Sequence, residues 1–356
     1  MHILDDQETY RRVDPSGMRD LIRGLHLQCL DAWTRAKALP IPPEYRGVNN
    51  IVVSGMGGSA IGGDIVRAIA YEESPVPFSV LRDYTLPAFV DSNSLVVASS
   101  YSGNTEEVLS VFDQALERRA KVMALTAGGR LLESTQRLGL PTYVIPYKGP
   151  PRTAVGHGVM PLLWLLCTLG FLTDKEADVE ETTAVLESLS QELSEETPYS
   201  RNPAKMMAAK LHGRLALVYG AGILSPIASR WKAQMNENGK SWAFHELLPE
   251  LHHNAVAGYR FPEWLAQKVL VIFLASSSHN HRIQERYRIT QTLLDEAGVE
   301  YERVDAVGKC SLSQTLSAAL YGDYVSLYLA ILNGVDPTPV DALDFVKGAL
   351  NSSLYK

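Results

Sequence analysis

At 356 residues the chain is long enough for about two domains with a core in each, which excludes a single small module. An apolar share of 46% and a charged share of 21% lie near ordinary globular usage and exclude a disordered chain or a coiled coil as the global description. With 33 Lys and Arg against 40 Asp and Glu the formal charge is −7, which argues against a nucleic-acid partner, because affinity for phosphate backbones comes from clustered cations.

The opening MHILDDQETYRRVDPSG places acids where a secretory signal needs a basic segment and then an apolar run, so no export is expected and the chain is read as cytoplasmic. Cap residues over 14–17 precede apolar positions at helical spacing (Met18, Leu21, Ile22, Leu25, Leu30, Trp33), which predicts one leading helix to about Leu39. The Pro-rich LPIPPEYRG breaks it. Short β-branched runs then alternate with helical patterns: NIVVSG, a helix from Ser59, PFSVL, LVVASS, a helix from Asn104, KVMALT and PTYVIP. This is the pattern of a parallel sheet covered by helices.

The apolar stretch over 159–172 is shorter than the ~20 residues of a membrane span and reads as a buried helix, so no membrane partner is expected. An acidic stretch, TDKEADVEETTAVLESLSQELSEETPYSRNP, reads as a partly helical connector. The alternation restarts with RLALVYGAG, a helix from Ser225 to about Gly239, KVLVIFLASS, a helix over 280–298, YERVDAV, and helices near 313–332 and 340–350. VVSGMGGSAIGGDIVRA can be laid on LVYGAGILSPIASRWKA, and LVVASSYSGNTEEV on VIFLASSSHNHRIQ. The expected fold is α/β, with two doubly wound parallel sheets related by an internal repeat. The expected parts are a helical segment over 1–44, a phosphate-binding domain over 45–172, a connector over 173–202 and a second domain with terminal helices over 203–356. Cys29, Cys167 and Cys310 are widely spaced with no CxxC, and are read as reduced thiols rather than disulfides or zinc ligands.

Ligands of such sheets bind beyond the C-terminal ends of the strands. There Gly55-Met56-Gly57-Gly58-Ser59 lets backbone N–H groups approach an anion at a helix N-terminus. The spacing partly matches a dinucleotide fingerprint, and a nicotinamide-dependent dehydrogenase would rest on this turn alone. The next turn, SSYSGNTEE, brings Ser100, Ser102 and Thr105 to another helix start, a set that suits a phosphomonoester better than an extended pyrophosphate. Plain helix capping by Asn104 or Thr105 is the other reading.

GMGGSAIGGD, SSYSGNTEE, PRTAVGHG, NENGK, ELHHN and the terminal DPTPV…VKGAL together resemble the sugar isomerase (SIS) domain family, and among it the bifunctional phosphoglucose/phosphomannose isomerases. The resemblance covers roughly residues 45–356. It implies a metal-independent aldose–ketose isomerase that interconverts glucose 6-phosphate and mannose 6-phosphate with fructose 6-phosphate through a cis-enediolate, with no cofactor. On this likeness Glu237 is the base that carries the proton between C1 and C2, Arg152 the cation beside the enediolate, and His253 the ring-opening group, assisted by Lys347. Gly58, Ser59, Ser100, Ser102 and Thr105 would hold the substrate phosphate. The family also has a threonine near the terminal helix that makes room for both C2 configurations; here Thr338 and Val340 stand in that neighbourhood. In relatives the histidine comes from a neighbouring subunit, which implies a homodimer with a shared site. The alternative is a catalytically silent sugar-phosphate sensor, which needs the serine turn but no convergence of Glu237, His253 and Arg152.

Overall fold

Three short helices open the chain in the computed structural model, which describes residues 2–351: α1 (Gln7–Val13), α2 (Met18–Arg23) and α3 (Leu25–Lys37). The expected single helix is therefore broken, because Gly24 closes α2 and starts α3 while the apolar spacing runs on across it. The buried Asp14 carboxylate starts α2 by accepting from the backbone N–H groups of Met18 at 2.7 Å and Arg19 at 3.1 Å. Leu25, Cys29, Ala32, Trp33 and Ala36 form the inner stripe of α3.

The first sheet follows the expected alternation: β1 (Asn50–Gly55), α4 (Gly57–Ala70), β2 (Phe78–Leu81), β3 (Ser94–Ser99), α5 (Glu106–Glu117), β4 (Lys121–Thr126), α6 (Gly129–Leu138) and β5 (Thr142–Val144). All its strands are parallel in the order β2-β1-β3-β4-β5, with Gly55 level with Ser99. Strand order reverses between β1 and β3, the place where doubly wound sheets open a crevice. The next helix, α7 (Val155–Leu169), crosses α4 so closely that a Cβ on Gly62 would stand 2.5 Å from the Gly158 backbone.

Helices α8 (Glu176–Leu193) and α9 (Pro203–Leu211) lead into β6 (Leu215–Ala221), α10 (Ser225–Glu237), β7 (Ala243–Leu248), β8 (Val269–Ala275), α11 (His281–Ala297), β9 (Tyr301–Asp305), α12 (Ser311–Asn333) and α13 (Asp341–Asn351). The second sheet is also parallel, in the order β7-β6-β8-β9, and repeats the first without its fifth strand. Strand β7 has no counterpart among the predicted elements. Its sequence, AFHELL, sits on the sheet edge with Phe244 exposed, so it lacks the apolar run that marks the inner strands.

One core runs through both halves, joining Val53, Ile61 and Met160 to Ile227, Trp231, Leu316 and Tyr324. The acidic stretch contributes to it: α8 turns Val179, Leu186 and Leu193 inward, so this segment is packed rather than solvated. Helix α12 is long and apolar enough to cross a membrane by length and composition, yet its residues lie buried against α8, α9 and α10.

Candidate active site

Two turns at the ends of the adjacent strands β1 and β3 form the floor of the site. Tyr101 N–H donates to Ser59 Oγ at 3.1 Å and Ser99 Oγ donates to the Ser59 carbonyl at 2.8 Å, which ties the serine turn to the glycine turn. Ser100 and Thr105 share a hydroxyl hydrogen bond of 2.8 Å, and Gly103 N–H donates to Ser100 Oγ at 3.1 Å. Thr105 is the N-cap of α5 but makes no side-chain capping bond, so capping does not account for its hydroxyl. Ser102 Oγ, on the exposed rim, accepts from Asn104 N–H at 3.2 Å. Gly103 (φ +69°) abuts the Gly128 carbonyl with no room for a Cβ. These contacts hold Ser59, Ser100 and Thr105 beside the N-termini of α4 and α5, whose first amides have no partner within the helix.

The wall of the site is the turn Pro151–Thr153. A Cβ on Gly58 would stand 2.8 Å from the Pro151 carbonyl and from Arg152 N, so glycine lets its own turn touch the arginine turn. Arg152 is only 5% exposed. Its Nε donates to Asn238 Oδ1 at 2.7 Å, its Nη2 to the Pro337 and Thr338 carbonyls at 2.8 Å each, and its Nη1 to Glu237 Oε2 at 3.5 Å. A guanidinium has five N–H donors, so one on Nη1, beside Glu237, stays uncommitted. Burial pulls the Arg152 pKa below its usual range, against the opposing pull of the Glu237 carboxylate.

Glu237 is the last residue of α10, and the same helix face braces the site from beneath. Arg230 Nη2 donates to the Arg152 carbonyl at 3.0 Å and to Asp323 Oδ2 at 2.6 Å, Gln234 Nε2 to Asp323 Oδ1 at 2.9 Å, and Asn238 Nδ2 to Ser326 Oγ at 2.9 Å. Asp323 and Ser326 lie on α12, buried in the core. Burial raises the Asp323 pKa, and Arg230 and Gln234 hold it in check. These supports were not among the predicted site residues. Their trace in the sequence is that Arg230 and Gln234 sit i, i+4 on an otherwise apolar helix face that ends, at i+7, on Glu237. Lys240, just past the helix with a left-handed φ of +52°, donates from Nζ to the Glu237 carbonyl and to the Pro337 carbonyl at 3.3 Å. Thr338, held by its carbonyl, keeps a buried hydroxyl without a partner among the described residues.

Two predicted residues are not gathered here. ELHHN forms a 3₁₀ turn over Glu250–His253. His252 faces inward, its Nε2 against Thr290 Oγ1 at 2.8 Å and its Nδ1 against Arg286 Nη1 at 2.9 Å, whereas His253 is exposed and its side chain makes no hydrogen bond or ion pair among the described residues. Lys347 is exposed on α13 and pairs with Asp344 at 3.9 Å, not with Arg152 or Glu237. For Lys347 the physical reason lies in α13 itself, whose Leu343, Phe345, Val346 and Leu350 stay exposed, so among the described residues its apolar face is not packed onto the site.

Residues 200–350 match the family described as the bacterial phospho-glucose isomerase C-terminal SIS domain. The bifunctional phosphoglucose/phosphomannose isomerase of Caldicellulosiruptor bescii is 37% identical over 334 residues, covering 94% of this chain and 98% of that protein. This chain belongs to the bifunctional phosphoglucose/phosphomannose isomerase family. A second member, from Aquifex aeolicus, is 36% identical over 86% of this chain and 91% of its own length. In fold, this family member resembles a glucose-6-phosphate isomerase like protein of Thermus thermophilus, with a TM-score of 0.64 at 19% identity over 98% of this chain and 99% of that one.

Proposed function

We propose that the protein is an aldose–ketose isomerase acting on hexose 6-phosphates, interconverting glucose 6-phosphate and mannose 6-phosphate with fructose 6-phosphate through a cis-enediolate. The observation that carries this reading is the Glu237 carboxylate facing the Arg152 guanidinium at 3.5 Å, beside an anion-binding floor. Gly58, Ser59, Ser100, Ser102 and Thr105 take the phosphate. Glu237 removes the proton at C2 and returns it at C1, and the free Nη1–H of Arg152 meets the oxygen on which charge develops. Arginine suits that place because it keeps its charge when desolvated better than lysine does. Glucose and mannose 6-phosphates differ only at C2 and collapse to one enediolate, so a base that serves either C2 face interconverts all three sugars. The step needs a base and a fixed cation, and calls for no cofactor.

We assign ring opening to His253 with Lys347 in a homodimer. The apolar face of α13 supports this, as does Trp242, 79% exposed beside Phe244 on the edge of a groove of about 860 Å³ that Lys240 also lines. A second copy of this chain, with the same apolar face, is the partner that would cover such a surface. Free Cys29, Cys167 and Cys310 go with a reducing, cytosolic location.

The test is proton NMR of EDTA-treated protein with fructose 6-phosphate in D₂O, beside Glu237→Gln. Deuterated glucose 6-phosphate and mannose 6-phosphate from the native protein only are expected. One product alone would narrow the specificity; none, with phosphate still bound, would replace the enzyme by a sugar-phosphate sensor.

A further inference from the structure

The turn that carries Arg152 lacks a cap from its own neighbourhood. Helix α7 starts at Val155, and its N-cap, Ala154, has no side-chain oxygen for the free amides of the first turn. The acceptor arrives from the N-terminal helices instead. Gln28 on α3, 6% exposed, accepts from Gly156 N–H through Oε1 at 2.6 Å and donates from Nε2 to the Thr153 carbonyl at 2.9 Å. A Cβ on Gly156 would lie 3.0 Å from Gln28 Oε1, so the glycine is what admits the carboxamide. One buried side chain thus grips the peptide groups that follow Arg152, while Arg230 holds the Arg152 carbonyl from the other side.

We propose that Gln28 is a positioning residue of the reaction, and that the N-terminal helices set the pose of the Arg152 guanidinium. The inference rests on the isomerase reading above. Packing alone does not account for Gln28, because a methionine or leucine would fill the same apolar space without burying an amide. A catalytic cation displaced by ~1 Å loses on the order of 100-fold in rate, so a clamp on its turn acts on turnover more than on binding.

The experiment compares Gln28→Met, which keeps the shape and removes both hydrogen bonds, with Gln28→Glu, which keeps the acceptor for Gly156 and loses the donor to Thr153. With folding checked by circular dichroism, Gln28→Met is expected to lower kcat by about 10- to 100-fold and Gln28→Glu by less, with KM and the inhibition constant of inorganic phosphate within about twofold. In an Arg152→Met background the Gln28→Met change is expected to cost less than about twofold more, because the residue acts through the arginine. A folded Gln28→Met protein with native kcat, or an undiminished loss in the Arg152→Met background, overturns the proposal. Should Gln28→Met not fold, Gln28→Glu decides by the same readings. The Arg152 Nε–H resonance of ¹⁵N-labelled protein separates the clamp from the isomerase reading: absence of turnover in the native protein sinks that reading and the kinetic role of Gln28 with it, and leaves the grip on the arginine turn to be read from the resonance. A resonance that moves in the Gln28 variants sustains the clamp, and one that stays overturns it.

Discussion

Arg152 shows how much of a candidate site residue's behaviour comes from its neighbours. Three carbonyl or amide oxygens, from Asn238, Pro337 and Thr338, fix the fork, and the Glu237 carboxylate meets its remaining side. A lysine in its place has one nitrogen and no fork. Arg152→Lys is therefore expected to lower turnover by about 100- to 1,000-fold, the scale of losing a preorganised donor, and to cost about 1–3 kcal/mol of stability from the oxygens left unpaired. Steady-state kinetics and urea titration read the two effects separately. A second residue-scale expectation concerns His157, buried beneath this turn with its Nδ1 against the Tyr143 hydroxyl at 2.8 Å. Burial pushes its pKa down from 6.5 to about 4, so the unfolded chain takes up the proton first. Stability is then unaffected above pH 6.5 and falls by up to about 3 kcal/mol as pH drops toward 4, a slope that His157→Gln should flatten in urea titrations. Arg152, Glu237 and the serine turn could be singled out as candidates because each lies in a short motif, and the fold brings Arg152 and Glu237 together. Asn238 lies in the same NENGK motif as Glu237, yet its work shows only when α12 brings Ser326 to one end of its amide and the arginine turn comes to the other.

At the level of elements, glycines set how close the parts of the site can stand. Gly58 lets α4 touch the arginine turn at backbone distance, where the neighbours cannot rotate away. Gly58→Ala is expected to push the two apart, raising the inhibition constant of inorganic phosphate and lowering kcat together, in contrast to Glu237→Gln, which should affect kcat alone. Strands β1, β3, β4, β6 and β8 were readable as apolar runs because both of their faces are covered. Strand β7 was not, since an edge strand mixes exposed and buried positions, and the break at Gly24 was not, since helical spacing continues through it. The terminal helix was legible as a helix but the exposure of its apolar face was not, because an amphipathic pattern shows that a face wants covering and not what covers it.

Across the whole molecule the two halves behave as one body, since their core is continuous and α12, buried along its length, is shared between α8, α9 and α10. Urea unfolding followed by tryptophan fluorescence and by far-ultraviolet circular dichroism is expected to give coincident transitions; two separated ones would show that the halves unfold independently. The repeat itself was visible in the chain, down to the correspondence of SSYSGNTEE with ASSSHNHRI, and the same strand order appears in both sheets. The repeat is not symmetric in use. His279 stands where the first half has Gly103, and its Nε2 lies 3.0 Å from the Ala221 carbonyl, filling the turn that the first half leaves open. Periodicity and turn chemistry are local, so they were enough for the α/β class and the paired sheets, and they marked the glycine and serine turns as candidates; the candidate base and cation came from the family resemblance of short motifs. The grip on Arg152 by Gln28, Arg230, Asn238 and the carbonyls of residues 337 and 338, like the exposure of His253 and Lys347, joins or parts segments distant along the chain; such relations are set by packing, which no local pattern records.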